Sequence, residues 1–515
     1  MRCYLLFIKL LICSIAIAQI PAPRFENIDI NNISARFLSN GMIAFNSIEQ
    51  SSHFEFPKGD SINGLAASSI WIEGYDDTNQ LRLAAHYYNN GNDYFFGPIA
   101  NSYDTTYNQR YNHVWKINAS NIASHIASYQ TLGYIVPTDI ATWPGNGDVS
   151  NGEADKLAPY QDVNGDGIYN PALGDYPLIL GDQALYMIYN DHSLTNGLNL
   201  GVEIHQMVYA FTDTAVENTI FINQRIYNKG QNNLHDVKLG WWNDFEIGNF
   251  YNDVVGCDTT LNLFFAYNGN EYDVNNGNVK GYDSSNVTLG AIYLNTKMES
   301  FLTYFDGANF PFSNLVNDTD FSGYMNCLSQ NNVPLCYVFP GDPCSTNEWI
   351  DTLSVPITSG DRRGLGSSIK YNLPQDSMLS IDMAYTFAVG DPADSCLASG
   401  VTALKQNVPL VKNFYLLNKL GAQSPILSIG NVSSSKWKMN CFPNPAQDKV
   451  RIESSLLEDK EAIIRLFDIQ GRVLLEQETL GVLVQQIDVS LLQRGIYFIA
   501  VETPKNKLLQ KIVLQ

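Results

Sequence analysis

The chain has 515 residues, with 31 basic against 52 acidic side chains and a formal net charge of -21, which repels phosphate backbones and excludes nucleic acid as a natural partner. Hydrophobic residues make up 45% and charged residues 16%, too apolar a balance for a disordered acidic tail. The length exceeds what one hydrophobic core usually serves, so at least two folded domains are expected.

Residues 1–18 read as a signal peptide: Arg2 and Lys9 flank an apolar run from Leu10 to Ala18, and Ala16-Ile17-Ala18 supplies the small-x-small cleavage pattern before Gln19. A membrane-spanning helix needs about 20 uninterrupted apolar residues, and no later stretch reaches that, so no transmembrane anchor is expected. Of the eight cysteines, Cys3 and Cys13 fall in the signal, which leaves Cys257, Cys327, Cys336, Cys344, Cys396 and Cys441 for an oxidising compartment. An even number fits disulfides, although spacing does not choose the pairing. Local bridging is expected where Cys327, Cys336 and Cys344 crowd together, with Cys396 as a further partner.

Residues 19–423 predict a β-rich exported region. Ser69 to Gly74 and Gln80 to Ala85 alternate around an Asp/Asn turn, Tyr75-Asp76-Asp77-Thr78-Asn79, and read as a hairpin. A helix is predicted over about 118–132, where Ile122, Ile126 and Tyr129 recur at spacings of four and three. Between Asp162 and Pro177 the sequence DVNGDGIYNPALGDYP has the spacing of a calcium loop. Asp162, Asn164 and Asp166 alternate as oxygen donors before Gly167; Ile168 adds its main chain and Asn170 another oxygen. Position twelve, where a bidentate Glu usually closes such a site, is Leu173, so Asp175, or Asp155 from upstream, is expected to close it. A bare Asx-turn loop is the alternative. The cofactor expected is structural Ca²⁺, at a site spanning 162–175.

Val202 to Phe211, Thr219 to Tyr227 and Val237 to Trp242 are aromatic and β-branched stretches at roughly ten-residue spacing, which suggests a sandwich. Asp244, Glu246, Asp253 and Asp258 then form a second acidic stretch, read either as a shared cation site or as a solvated strand-end loop. Tyr304 to Asp361 reads as an irregular insertion, Ser380 to Val389 as a strand, and Val401 to Leu420 as a short helix interrupted by Pro409. Residues 424–438 read as a linker. Beyond it lie six short alternating strands, a compact β-sandwich over 439–515 with a tight turn at Asp468 to Arg472.

Hydrolytic motifs are scarce. HExxH and G-x-S-x-G are absent, as are the phosphate-binding and dinucleotide glycine patterns. Glu203-Ile204-His205 sits in a strand pattern and favours a structural or lone surface histidine. Gly59-Asp60-Ser61 reads as a loop. Asp244 and Glu246, beside Trp241 and Trp242, are the best candidate pair for glycoside chemistry, because strand residues at i and i+2 share a face.

Two resemblances add to this reading. Phe442-Pro443-Asn444-Pro445-Ala446, Leu466 to Arg472, Gly495-Ile496-Tyr497 and Lys511 to Leu514 stand in the order found in the type A sorting domain of the bacterial type IX secretion system, which 439–515 closely resembles. The resemblance implies an immunoglobulin-like sandwich, the type IX secretion machinery as partner, and release or attachment to surface polysaccharide. Residues 27–420 resemble a group of secreted proteins of unassigned activity that carry the same sorting domain. The matching stretches include Phe56-Pro57-Lys58-Gly59, Ala158 to Gly167, Gly181-Asp182-Gln183 and Gly360-Asp361-Arg362-Arg363. The expectation is a mainly β, calcium-stabilised protein, secreted or on the outer cell surface after export to the periplasm. It is expected to act as a binding, adhesion or structural module, with a secreted polysaccharide hydrolase as the alternative.

Overall fold

The computed structural model describes residues 21–88, 93–192, 198–305, 312–315, 317–329, 332–345, 348–352, 360–394, 396–418 and 426–428, then 439–454, 457, 462–467, 473–478, 482–490, 492, 494–503 and 507–514. The chain divides into two compact units, Met1–Ser428 and Ile429–Gln515. Both are built mainly of strands with few helices, the class expected from the alternating sequence. The signal segment 1–18 lies outside the described residues.

The first unit rests on two antiparallel sheets. Hydrogen-bonded neighbours in the ten-stranded sheet run Asp253–Asp258, Leu263–Asn268, Val287–Tyr293, Ser377–Val389, Thr219–Asn228, Val202–Ala210, Gln183–Asn190 and Phe95–Phe96. The six-stranded sheet runs Met298–Tyr304, Arg362–Ser368, Leu234–Phe245, Leu65–Tyr75 and Leu81–Ala84. The predicted hairpin is present, pairing Leu65–Tyr75 with Leu81–Ala84.

Strand periodicity explains how one sheet serves two cores. Along Gln183–Asn190, Leu185, Met187 and Tyr189 enter the core shared with the six-stranded sheet, whereas Ala184, Tyr186 and Ile188 enter a second core on the opposite face. With both faces covered, the segment reads as a continuous apolar run.

The helix Ser399–Leu417 belongs to that second core, over the Ser377–Val389 and Val287–Tyr293 strands. A Cβ on Gly290 would come 2.8 Å from Leu404, so glycine is what lets the helix approach this closely. The sequence predicts a short, interrupted helix; the observed one spans 19 residues straight through Pro409. Pro409 is exposed, while Leu404, Val408, Val411 and Tyr415 are buried. Burying four such side chains at about 1.5–3 kcal/mol each outweighs roughly 3 kcal/mol for one proline in a helix.

Other boundaries also move. The predicted 118–132 helix is Ala119–Ser128, and of its expected apolar stripe Ile122 is buried but Ile126 is exposed. The Tyr304 to Asp361 insertion contains a helix, Asp318–Met325, started by the Asn317 side chain accepting from the Asp320 N–H. Ile426–Ser428, inside the stretch read as linker, pairs with Ser377–Leu379. Disulfides join Cys327 to Cys336 and Cys344 to Cys396. Cys257 and Cys441 remain buried thiols, so the even count does not translate into three bridges.

In the second unit Met439–Phe442, Lys449–Ser454 and Val484–Asp488 form one sheet, and Val473–Glu478, Ile463–Phe467, Gly495–Glu502 and Lys507–Leu514 another. Val450, Ile452, Ile464, Leu466, Ile487, Ile499 and Ile512 fill the core of this small sandwich. The predicted turn at 468–472 lies outside the described residues.

Candidate functional site

The loop predicted to hold calcium is bracketed by a two-residue ladder, Tyr160 opposite Pro177 and Gln161 opposite Tyr176. Gly165 and Gly167 adopt φ of 76° and 81°, the left-handed region that the turn requires. Asp162 accepts from the Gly165 N–H at 2.7 Å and the Gly167 N–H at 2.8 Å, and Asp166 accepts from the Ile168 N–H at 2.8 Å. Asn164 donates its amide to Asp166 Oδ2 at 2.8 Å. Asn170 turns its oxygen to the Ala172 N–H and caps the Pro171–Leu173 turn.

Asp175, rather than the exposed Asp155, sits inside the loop. Fully buried, it accepts from the Val163 N–H and the Asn170 N–H, each at 2.8 Å, and so ties the start of the loop to its end. Leu173, at the twelfth position, is exposed. The loop is held to the layer beneath by Tyr169, whose hydroxyl donates to the Ile140 carbonyl at 2.6 Å, and by His125, 3.1 Å from the Asp175 carbonyl. The donor set is all oxygen and thus hard, the chemistry Ca²⁺ takes. Each carboxylate oxygen that accepts one N–H keeps a second lone pair for an ion.

The four acidic residues from Asp244 to Asp258 go to different partners. Asp244, on the outer face of the six-stranded sheet, is buried; Arg363 Nε donates to it at 2.9 Å and the Tyr88 hydroxyl donates to the same oxygen. Burial pushes its carboxyl up to about 7, against the pull of the Arg363 charge. Burial, reinforced by the Asp361 charge, also pushes Glu246 up to about 7. Asp258 lies apart: burial disfavours its charge, but the Thr260 hydroxyl and Lys405 outweigh this and hold it below the ordinary range. Asp253 is fully buried at the start of its strand and accepts from the Ile247 N–H at 3.0 Å.

Trp241 and Trp242 do not wall a cleft. Both are fully buried, Trp241 against Phe264, Tyr293 and Tyr385, and Trp242 against Trp71, Tyr87 and Tyr88. Glu203 and His205 share one strand face in a buried chain. The Tyr186 hydroxyl lies 2.8 Å from His205 Nδ1, His205 Nε2 lies 2.8 Å from Glu203, and Glu203 accepts from the Ile99 N–H at 2.7 Å. Ser61, in the exposed loop after Gly59, has φ of 57°. A cleft of about 550 Å³ lies elsewhere, lined by Tyr75, Lys238, Glu299, Thr319, Asn326 and Lys370. Lys238 is committed there to Glu299 at 2.5 Å and to the Met325 carbonyl at 2.8 Å.

Tyr88, Asp361 and Arg363, which set the environment of Asp244, escaped sequence reasoning as its partners. They lie up to 156 residues away and no local pattern links them. Among the described residues no three His, Cys, Asp or Glu side chains converge as a metal centre. A cation would therefore draw on amide and main-chain oxygens as well.

In the second unit the Phe442 to Ala446 start is stitched to the last strand. Asn444 Oδ1 accepts from the Val513 N–H at 2.9 Å, and the Ala446 N–H donates to the Val513 carbonyl at 2.7 Å. Residues 440–515 match the family described as a secretion system C-terminal sorting domain. The chain carries this domain. The first and last of the four stretches that mark it in sequence are thus neighbours in space, which accounts for their joint presence at opposite ends of the sorting domain. The domain places the protein outside the cell or on its surface, delivered by the type IX secretion machinery, and no helix among the described residues is long and apolar enough to cross a membrane. No curated protein matches the chain. A solved polysaccharide lyase is similar over 70% of the chain at 9% identity and a TM-score of 0.20, and the chain spans 37% of that lyase.

Proposed function

We propose that the protein acts outside the cell, surface-held or released, as a binding, adhesion or structural module whose loop-rich outer layer is braced by calcium at Asp162 to Asp175. The observation that carries this reading is where the carboxylates go. Asp175, Asp191 and Asp273 are buried and accept main-chain N–H groups that would otherwise lack partners. Asp76 does the same for the turn of the first hairpin. Acidic residues used this way fix loops in shape, which suits a surface made of long connections.

A polysaccharide hydrolase would need two carboxylates flanking an open groove with aromatic walls. The best sequence candidate has Asp244 locked to Arg363 and both tryptophans in the core. Surface polysaccharide enters instead as the partner to which the sorting domain would attach the exported chain. The deciding experiment incubates the purified exported chain with a panel of glycans and follows both retention and reducing ends. Retention without cleavage is the expected result; cleavage abolished by Asp244→Asn or Glu246→Gln would overturn it.

A further inference from the structure

We propose that a second divalent-cation site, of calcium type and separate from the 162–175 loop, lies at the buried start of the Asp253–Asp258 strand, formed by Asp253, Asp273 and the side-chain oxygens of Asn252 and Asn268.

Asp253 stands opposite Asn268 in antiparallel register, so their side chains share one face at roughly 5 Å between Cβ atoms. Asp253 is 0% exposed; its Oδ2 accepts from the Ile247 N–H, and its Oδ1 has no hydrogen-bond partner. Asn268 is 5% exposed; its amide faces Asp273 and its Oδ1 has no partner. Asn252 is 4% exposed; its Nδ2 donates to Asp273 Oδ1 at 3.3 Å and its Oδ1 has no partner. Asp273, 1% exposed, accepts from the Tyr282 N–H at 2.7 Å and the Asn249 N–H at 3.2 Å. Asn252 and Asn268 thus turn their amide groups to Asp273, and three buried oxygens, on Asn252, Asn268 and Asp253, have no donors of their own.

Native proteins seldom leave buried polar atoms unpaired, because each costs the full desolvation of the group. Here three such oxygens occur in one cluster, one of them on Asp253 itself, beside the Asp273 carboxylate. The Arg362 charge reaches Asp253, but its Nε and Nη2 donate to Asp351 at 2.8 and 3.4 Å, leaving only its buried Nη1 without a partner. Burial raises both carboxyls, Asp273 to about 6, and the Asp273 charge adds to the rise at Asp253. A cation relieves the repulsion and the unpaired oxygens at once. The donors are all oxygen, which selects a hard ion, and the irregular set of carboxylates and amides suits Ca²⁺ better than the strict octahedron of Mg²⁺. Glu246, half-buried and close enough for its charge to reach Asp253, marks the approach from solvent.

The test is calcium uptake by the full exported chain carrying Asp162→Asn, which disables the loop. After chelation this variant is expected to bind calcium in equilibrium dialysis and to gain melting temperature on doing so. Adding Asp253→Asn, isosteric and without the charge, is expected to abolish both effects. If Asp162→Asn alone removes all uptake, the second site is overturned and the loop reading stands. If Asp162→Asn removes none while Asp253→Asn removes all, the loop reading fails and this site stands. Asn268→Leu keeps both carboxylates and serves if Asp253→Asn does not fold; affinity at least about tenfold weaker is expected, and unchanged affinity overturns the site.

Discussion

Arg363 stands directly opposite Asp244 in antiparallel register, and its Nε closes on Asp244 Oδ2 at 2.9 Å. The pair lies at one end of the outer face of the six-stranded sheet, with Tyr88 donating to the same carboxylate oxygen. Removing Asp244 leaves the Arg363 charge to Asp361, 2.9 Å from its Nη2, and takes the acceptor from the Tyr88 hydroxyl. Asp244→Ala is therefore expected to cost about 2–3 kcal/mol in urea unfolding, whereas the double change Asp244→Leu with Arg363→Met, which removes both charges, should cost less. A single-variant loss below about 1 kcal/mol would contradict a buried, mutually dependent pair.

Glu246 gives a pH dependence of definite sign. Its carboxyl is raised in the folded chain from an ordinary 4.5 to about 7, so between those values the folded state keeps a proton the unfolded chain has released. Stability then falls as pH rises through this window and levels off above about 7, with Asp244 acting in the same direction. In chelator, Glu246→Gln is expected to flatten that fall by about 2 kcal/mol. Parallel pH–stability curves for the two proteins would refute the assignment.

Calcium is expected to raise the melting temperature of the full chain, and a chelator to reverse it. An ion at about 100 times its dissociation constant contributes roughly 2.7 kcal/mol. Asp175→Ala should be more damaging than Asp166→Ala even in chelator, because Asp175 also joins the Val163 and Asn170 N–H groups from a fully buried position. Identical melting with calcium and with chelator would remove calcium from the account.

The Cys344–Cys396 bridge spans a sequence separation of 52 and encloses the strands Arg362–Ser368, Tyr371–Leu373 and Ser377–Val389. By loop-closure entropy a bridge of that span is worth about 4 kcal/mol. Cys344→Ser with Cys396→Ser should lower the melting temperature accordingly, whereas Cys257→Ala should leave the number of disulfides unchanged, as counted by mass after thiol alkylation.

Truncation before Met439 removes the sorting domain while leaving the first unit's cores without any of its residues lost. The shortened chain is expected to fold but to stay inside the cell envelope. Its appearance in the medium at the full-length level, by fractionation and immunoblotting, would separate export from the sorting domain.

Sequence by itself determined what rests on neighbours along the chain. Period-two alternation marked the strands, the Asp/Asn turn marked the first hairpin, and the spacing from Asp162 to Asn170 marked the loop, with Asp175 and Asp155 both offered to close it. The ordered motifs of 439–515 marked the sorting domain. Only the tertiary structure decided the rest, because the deciding partners lie far apart in sequence. Arg363 meets Asp244 across 119 residues, and Tyr88 reaches it across 156. Trp241 and Trp242 looked like cleft walls because a sequence shows aromaticity but not burial. Pro409 looked like a break because the sheet that holds its helix lies elsewhere in the chain. Asp253 looked like one of four acidic neighbours, but the fold separates it from Asp244 and Asp258 and sets it beside Asn268 and Asp273, where register and burial, not spacing, choose its company.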